Sequence, residues 1–428
     1  MSSLGQALTF AANLYRQRAE VAYAGYVRRE PFALLHLRPG RADPYPLYER
    51  IRDRGPLASV GGGELASASY RVCETLLRDR RFGVSPEDGS RVDEMELSFL
   101  GMDPPDHTRL RRLVMPAFSP KAVASYTERI ERTVDGLLDR ASEAGRFDLV
   151  SEFAAPLPIA VITDLLGIPD ADSAAFTRFG ALIGSALGGV RSLRHARQLV
   201  ATEAPLVELF DSLFELRRRE PREDIVSRLV AATDDQIKPA ELIPICLLLL
   251  VAGFETTVNL IGNSVLALLS HPEQWQALCA DPDGLTEKAV EETLRFDSPV
   301  QVTNRIARQP VELEGKALGK SQTIYVLIGG ANRDPAVYEK PDTFDINRDA
   351  AVGNLAFSGG IHYCPGQPLA RLEATIALRA LAERMPGLAR TGPIKWRSGM
   401  VIRGPLRFPV AAGAPRTVAD PKSAVRQD

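Results

Sequence analysis

Apolar residues along the chain recur mostly every three or four positions and alternate only in a few short stretches, a pattern that predicts many helices and little sheet. At the start, Leu4, Ala7, Leu8, Ala11 and Tyr15 mark an amphipathic helix, with Arg16, Arg18, Arg28 and Arg29 following. Such a helix packs on the body, hangs loosely from it, or lies on a membrane surface. Pro44 to Val60 reads as a short helix running into strands near Leu57 to Tyr70. The Pro104-Pro105-Asp106 signal opens another helix towards Val114. From Arg140 to Arg228 helix follows helix, punctuated at Ala155-Pro156-Leu157-Pro158 and Gly167-Ile168-Pro169-Asp170. Ala240 to Leu269 is largely apolar, as befits a helix in the middle of a large core, with Pro244 expected to shorten or bend its first turns. Gln301 to Arg308, Val311 to Glu314 and Thr323 to Ile328 alternate and read as strands of a minor sheet, with turns at Gly315 and Gly319. Beyond Pro409 the chain is polar and poorly patterned, and disorder is expected over 411–428.

These elements amount to one mainly helical domain over 44–410 with a small β region, preceded by a helical extension over 1–43. The 428 residues, 45% of them hydrophobic, can bury a core of that size, and no linker divides them. A net charge of −2 gives no bulk basicity that would point to nucleic acid. Cys73, Cys246, Cys279 and Cys364 are too few and too scattered for a disulfide framework or a zinc ribbon, and they suit a reducing cytoplasm. No apolar run is expected to reach the roughly 18 to 20 residues of a membrane span. The longest, Ile243 to Gly253, is shorter and contains Pro244. The N-terminus lacks the pattern of a secretory signal.

The stretch with the most chemistry is Phe357-Ser358-Gly359-Gly360-Ile361-His362-Tyr363-Cys364-Pro365-Gly366. Its glycines mark a tight loop, and Gln367-Pro368 then opens a helix with proline in the first turn. Cys364 thus lies just before a helix N-terminus, where free backbone N–H groups and the positive end of the dipole favour an anion. That places its thiol to be a thiolate, the form that binds metals; an inert buried cysteine is the alternative. Phe357, Gly360, His362, Cys364 and Gly366 together resemble the haem-ligand loop of the cytochrome P450 family.

Other stretches resemble the same family, in its order, from about Pro44 to Val410. His107 and Arg111 share a helix face; alone they are a solvated pair, but the resemblance implies that they hold a haem propionate, with Arg305 on the second one. In Ala252-Gly253-Phe254-Glu255-Thr256-Thr257 a glycine, an acid and two threonines interrupt an apolar helix. Glycine and threonine weaken a helix interior, and a threonine hydroxyl can bond to a preceding carbonyl, so a local disruption is expected there. The hexapeptide matches the family's oxygen-activation motif, which implies that Ala252 and Gly253 border the haem and that Glu255 and Thr256 deliver protons. Glu292 and Arg295, at i and i+3, occur by chance on many surfaces; the resemblance implies a structural trio with Arg348. Phe176 to Gly189 and Arg191 to Arg197 resemble the family's mobile lid, with Gly180, Gly184, Gly188 and Gly189 as sources of flexibility; an ordinary helical hairpin fits equally.

The resemblance implies a haem-thiolate monooxygenase carrying haem b on Cys364, which inserts one atom of O₂ into an organic substrate and reduces the other to water. Leu248, Val251, Val300, Val302, Val401 and residues around Leu97 to Leu100 are expected near the pocket, and their side chains suit an apolar ligand. No Gly-x-Gly-x-x-Gly fingerprint is present, so electrons are expected from a ferredoxin and its reductase. Two alternatives stand beside this: a peroxygenase or a C–C or C–O coupling enzyme, for which the intact Glu255-Thr256 pair is unexpected, and a non-catalytic haem sensor, which has no need of that pair.

Overall fold

The computed structural model describes residues 3–85, 98–169, 173–186, 190, 192–233, 236–349 and 351–413. The helix Pro239–Ser270 is the axis of the fold. It is apolar on almost every side, and the helices Pro156–Leu166, Ser173–Ala186, Leu193–Arg219, Pro282–Phe296 and Gln367–Arg384 pack against it. Pro244 neither shortens nor interrupts it: the helix is continuous from Pro239, because a proline this near the start removes a single N–H from the ladder.

Two stretches, Leu149–Leu166 and Pro239–Ser270, do prove long and apolar enough to cross a membrane, against the expectation from sequence. Their apolar windows are 72% and 83% buried inside the molecule, so both are read as core helices.

Beside this helical body lies a five-stranded sheet in the order Ala58–Gly61, Glu64–Ser67, Thr323–Val326, Thr303–Ala307, Phe82–Gly83. Only the pairing of Glu64–Ser67 with Thr323–Val326 is parallel. Val311–Leu313 and Lys316–Leu318 leave that sheet and form a hairpin of their own. Its turn residues Glu314 and Gly315 both have positive φ, 51° and 71°, as a tight two-residue hairpin turn requires.

Three sequence-based boundaries move. The helices Pro31–Leu35 and Arg38–Ala42 lie within the stretch read as an extension, yet Phe32 and Leu35 are buried against Leu47, Tyr48 and Leu327. Arg146–Asp148, within the region read as wholly helical, is a strand. It pairs with Pro409–Ala411, which in turn pairs with Ala389–Arg390, so the chain stays ordered two residues past Pro409; 414–428 lie outside the described residues.

Gly180, one glycine of the expected lid, has a packing role. A Cβ on Gly180 would lie 1.7 Å from Phe254 Cζ, so this residue is small to let the helix Ser173–Ala186 touch the central helix. Gly188 and Gly189 lie outside the described residues.

Candidate active site

The cysteine loop is shaped by its own backbone and by the helix Tyr70–Arg78. Gly360 has φ +61°, and a Cβ there would lie 2.6 Å from Leu77 O, so both conformation and contact exclude a side chain. Cys364 N donates to Phe357 O at 3.0 Å, which folds the loop back on itself, and Arg371 sits over the Phe357 ring, 4.6 Å from its centre. The helix Gln367–Arg384 then begins, with Gly366 as its N-cap.

Burial pushes the Cys364 thiol up, while the Gly366 and Gln367 N–H groups, with Arg111 and Arg371, pull it down without prevailing. The helix terminus seen in the sequence is therefore present, but it is outweighed. A cation bound to the sulfur reverses that balance, because a coordinating thiol is deprotonated outright.

Around the loop stand the residues read as propionate partners. His107, on the helix Asp106–Val114, is 2% exposed and lies 4.4 Å from His362, centre to centre. Neither of its ring nitrogens has a hydrogen-bond partner, and burial, with the nearby His362 and Arg111, pulls its pKa down to about 4. Arg111 donates to Tyr363 O, on the residue before the cysteine. Arg305 is 3% exposed, yet it donates only to Asn304 O at 2.8 Å and to Ser358 Oγ at 3.4 Å. Burial draws its pKa to about 10 against the pull of Asp103.

Asp103 is a residue that sequence reasoning missed. It accepts from the Val84 and Ser85 N–H groups, pairs with Arg308 at 2.8 Å and lies 3.9 Å from His362 Nε2. Burial alone would raise its carboxyl, but these donors hold it well below the usual range.

On the central helix, Val251, Phe254, Glu255 and Thr257 are each at most 3% exposed, while Ala252 is exposed and Thr256 half-buried. Residues 252 and 256 share a face, so the middle of this buried helix is open along that strip. Thr256 Oγ1 donates to Ala252 O at 3.0 Å, and the disruption foreseen there is confined to such side-chain bonds, since the helix remains continuous.

Gly253 packs against a neighbouring helix. A Cβ on it would lie 2.7 Å from Ile162 Cδ1, so its smallness is explained by the crossing helix Pro156–Leu166. Leu248 and Val251, 4% and 3% exposed, belong to the main apolar core. Val302 does not line the open strip either: it is 3% exposed among Phe32, Tyr48 and Leu327, because the strand that follows carries it to the sheet side. Val300 and Val401 are half-buried where the chain approaches the segment around Ile402, and Gln301 N donates to Val401 O at 2.8 Å. Leu100 is 49% exposed and Phe99 meets His107 edge-on, while Leu97 lies outside the described residues.

Comparison with known proteins decides between the readings of this cysteine. The profile described as Cytochrome P450 matches residues 284–384. Cytochrome P450 107B1 of Saccharopolyspora erythraea is 42% identical over 354 residues, 81% of this chain and 84% of the relative. The chain belongs to the cytochrome P450 family. The P450 monooxygenase PikC of Streptomyces venezuelae is 40% identical over 86% of this chain and 91% of its own. The ligand-free structure of Mycobacterium smegmatis CYP164A2 superposes with a TM-score of 0.82 at 38% identity, over 89% of this chain and 99% of that one. Both the mainly helical P450 fold and the identity of the cofactor as haem, with iron on a cysteine, therefore stand.

The residues present fit that cofactor. Haem brings two carboxylates, and His107 with two unpartnered nitrogens and Arg305 with few acceptors are the buried donors such groups satisfy.

The P450 trio is also formed. Arg295 Nε and Nη2 each meet Glu292 at 2.7 Å, and Arg348 Nε lies 3.2 Å from both carboxylate oxygens. The two guanidiniums go on to donate to the carbonyls of Asn332, Glu339, Lys340, Pro341 and Thr343.

The largest omission of the sequence reading is Arg397. Its Nη1 lies 2.5 Å from Glu255 Oε1, and its Nε donates to Asn259 Oδ1 at 2.7 Å. Glu255, Asn259 and Asn263 fall at i, i+4 and i+8 on a largely apolar helix, and that stripe is the signal that could have shown a polar neighbour was needed.

Proposed function

We propose that this P450 acts in the cytoplasm and inserts one atom of O₂ into an apolar organic substrate, on electrons from a ferredoxin and its reductase. The observation that carries the reading is the open strip at Ala252 and Thr256 on an otherwise buried helix, next to the paired Glu255. Haem, held by Cys364 and by His107, Arg111, Arg305 and His362 at its propionates, supplies the oxygen-activating chemistry.

The protein's own part is to exclude water and to pass protons. Reducing one oxygen atom to water takes two protons, and the apolar core around Leu248 and Val251 has none to give. The Thr256 hydroxyl, now turned to Ala252 O, can instead hold a water in the open strip. Glu255 is the titratable group nearest to it in sequence, one residue away.

The apolar substrate class is supported by the apolar side chains of the half-buried Val300 and Val401 and by the ligands of similar proteins. One similar structure holds hexadec-9Z-enoic acid ligated to an acyl carrier protein, and another holds testosterone.

Thr256→Ala tests the proton-handling role. The variant is expected to bind substrate and consume reductant as before, yet to release hydrogen peroxide and lose product by on the order of 10²-fold. Product formed per reductant consumed is the measurement, and wild-type coupling in the variant removes Thr256 from the mechanism.

A further inference from the structure

We propose that the cleft bounded by Arg41, Arg397 and Arg403 is a binding site for the carboxylate end of an apolar monoacid. Neither Glu255 nor Thr256 lines it, and the inference goes beyond the haem chemistry proposed above.

The cleft forms where the helices Pro31–Leu35 and Arg38–Ala42 meet the segment 396–404. The two helices are clamped together at Gly40, where a Cβ would lie 2.4 Å from Leu35 Cα. Arg41 is thereby held at the wall. Its Nη2 donates to His36 O at 2.8 Å, and Arg403 Nη1 reaches across to Arg41 O at 3.3 Å.

Three arginines line the cleft and, among the described residues, no acid does. Two of the three are already matched: Arg397 Nη1 meets Glu255 Oε1 at 2.5 Å, and Arg403 Nε meets Asp297 Oδ1 at 2.8 Å. Arg41 is not. It makes no ion pair among the described residues, and its Nε is buried without a hydrogen-bond partner. Burial and the nearby Arg18 both pull its pKa down, against the pull of Tyr26, so an added negative charge relieves this guanidinium most.

The kind of anion follows from the charge and the space. One unmatched positive charge calls for one negative charge, which favours a carboxylate over a phosphate of roughly −1.5 to −2. The free volume of the cleft is about 10 Å³, room for a single oxygen-sized group. The acid's head therefore enters, and its apolar tail lies outward over the half-buried Trp396 and Met400.

The chain has two tryptophans, and Trp396 lines the cleft with the Arg403 guanidinium 4.3 Å from its ring centre. Haem-loaded protein labelled with 5-fluorotryptophan gives a fluorine resonance for each, and Trp396→Phe identifies the one that reports on the cleft. Octanoate is expected to shift it saturably. Octanamide, neutral and nearly the same shape, should need at least about tenfold more, the margin of one charge-assisted hydrogen bond. In Arg41→Gln octanoate should fall to the affinity of octanamide, which itself stays unchanged, and Arg41→Lys, which keeps the charge, should lose less.

Equal binding of octanoate and octanamide by the wild-type protein overturns the site, and that comparison needs no variant to fold. Wild-type octanoate affinity in Arg41→Gln overturns it too, as does saturation by chloride or phosphate at the octanoate concentration, which would make the cleft a general anion hole. The fluorine signal is read at the cleft and the Soret band at the haem, in one sample. Octanoate that moves the Soret band and leaves Trp396 unshifted is bound at the haem alone, which refutes the cleft site and leaves the monooxygenase reading intact.

Discussion

His107 is proposed as a haem-binding residue because its buried ring lacks partners among the described residues. A fully buried imidazole with both nitrogens unpartnered is costly in a finished core, and Arg305, at 3% exposure with two weak acceptors, has the same character. Their partners are expected to be the propionates. Replacing Arg111 and Arg305 by leucine together should therefore cut haem retention sharply after purification, measured as the Soret absorbance per protein. Full occupancy in the double variant would remove both from the haem site. At this scale the sequence was legible wherever a motif packs its chemistry into consecutive positions: His362, Cys364 and Gly366 sit in one loop, and His107 and Arg111 in one helical turn. Asp103 was not legible. Its importance comes from the strand end at Val84 and from Arg308, which the chain brings to it only on folding.

Elements explain why the residues of one motif have different neighbours. The central helix has several faces, and the hexapeptide around Glu255 spreads its residues over all of them. Ala252 and Thr256 open on the strip, Gly253 meets Ile162, and Glu255 turns to Arg397. Periodicity assigns faces but cannot say which neighbour occupies each, and so the packing of Gly253 on Ile162 was not foreseen.

The trio at Glu292 was foreseen from the family resemblance, since its spacing alone is common on surfaces. Its strength is that one carboxylate organises a whole meander: Glu292 Oε1 also accepts from Asp345 N at 2.9 Å, and its two arginines hold five carbonyls. In Glu292→Ala the buried Arg295, 3% exposed, keeps its charge and loses its counter-ion. Removing one partner of such a pair costs about 3–5 kcal/mol. Urea unfolding monitored by circular dichroism should show a correspondingly lower midpoint, and an unchanged midpoint would reduce the trio to a surface contact.

For the whole molecule, the open question is where the electrons come from. The family draws on redox partners, and this chain pairs its cysteine loop with an acid and a hydroxyl, groups of use when protons must be delivered to O₂ stepwise. An enzyme that used hydrogen peroxide directly would receive its two oxygen atoms already reduced and protonated, and would need no net protons from solvent. Turnover should accordingly require O₂, a ferredoxin, its reductase and reduced nicotinamide together, and should fall at least about tenfold when peroxide alone replaces them, in line with the contribution of a positioned acid. The apolar substrate has to be found first, by screening a compound library for ligand-induced shifts of the Soret band. With that substrate in hand, product formation is compared between the ferredoxin system and peroxide at matched haem concentration. Equal rates on peroxide alone would make the chain a peroxygenase and leave the buried ion pair a structural feature; no product in either arm, with spectral binding intact, would favour a haem sensor.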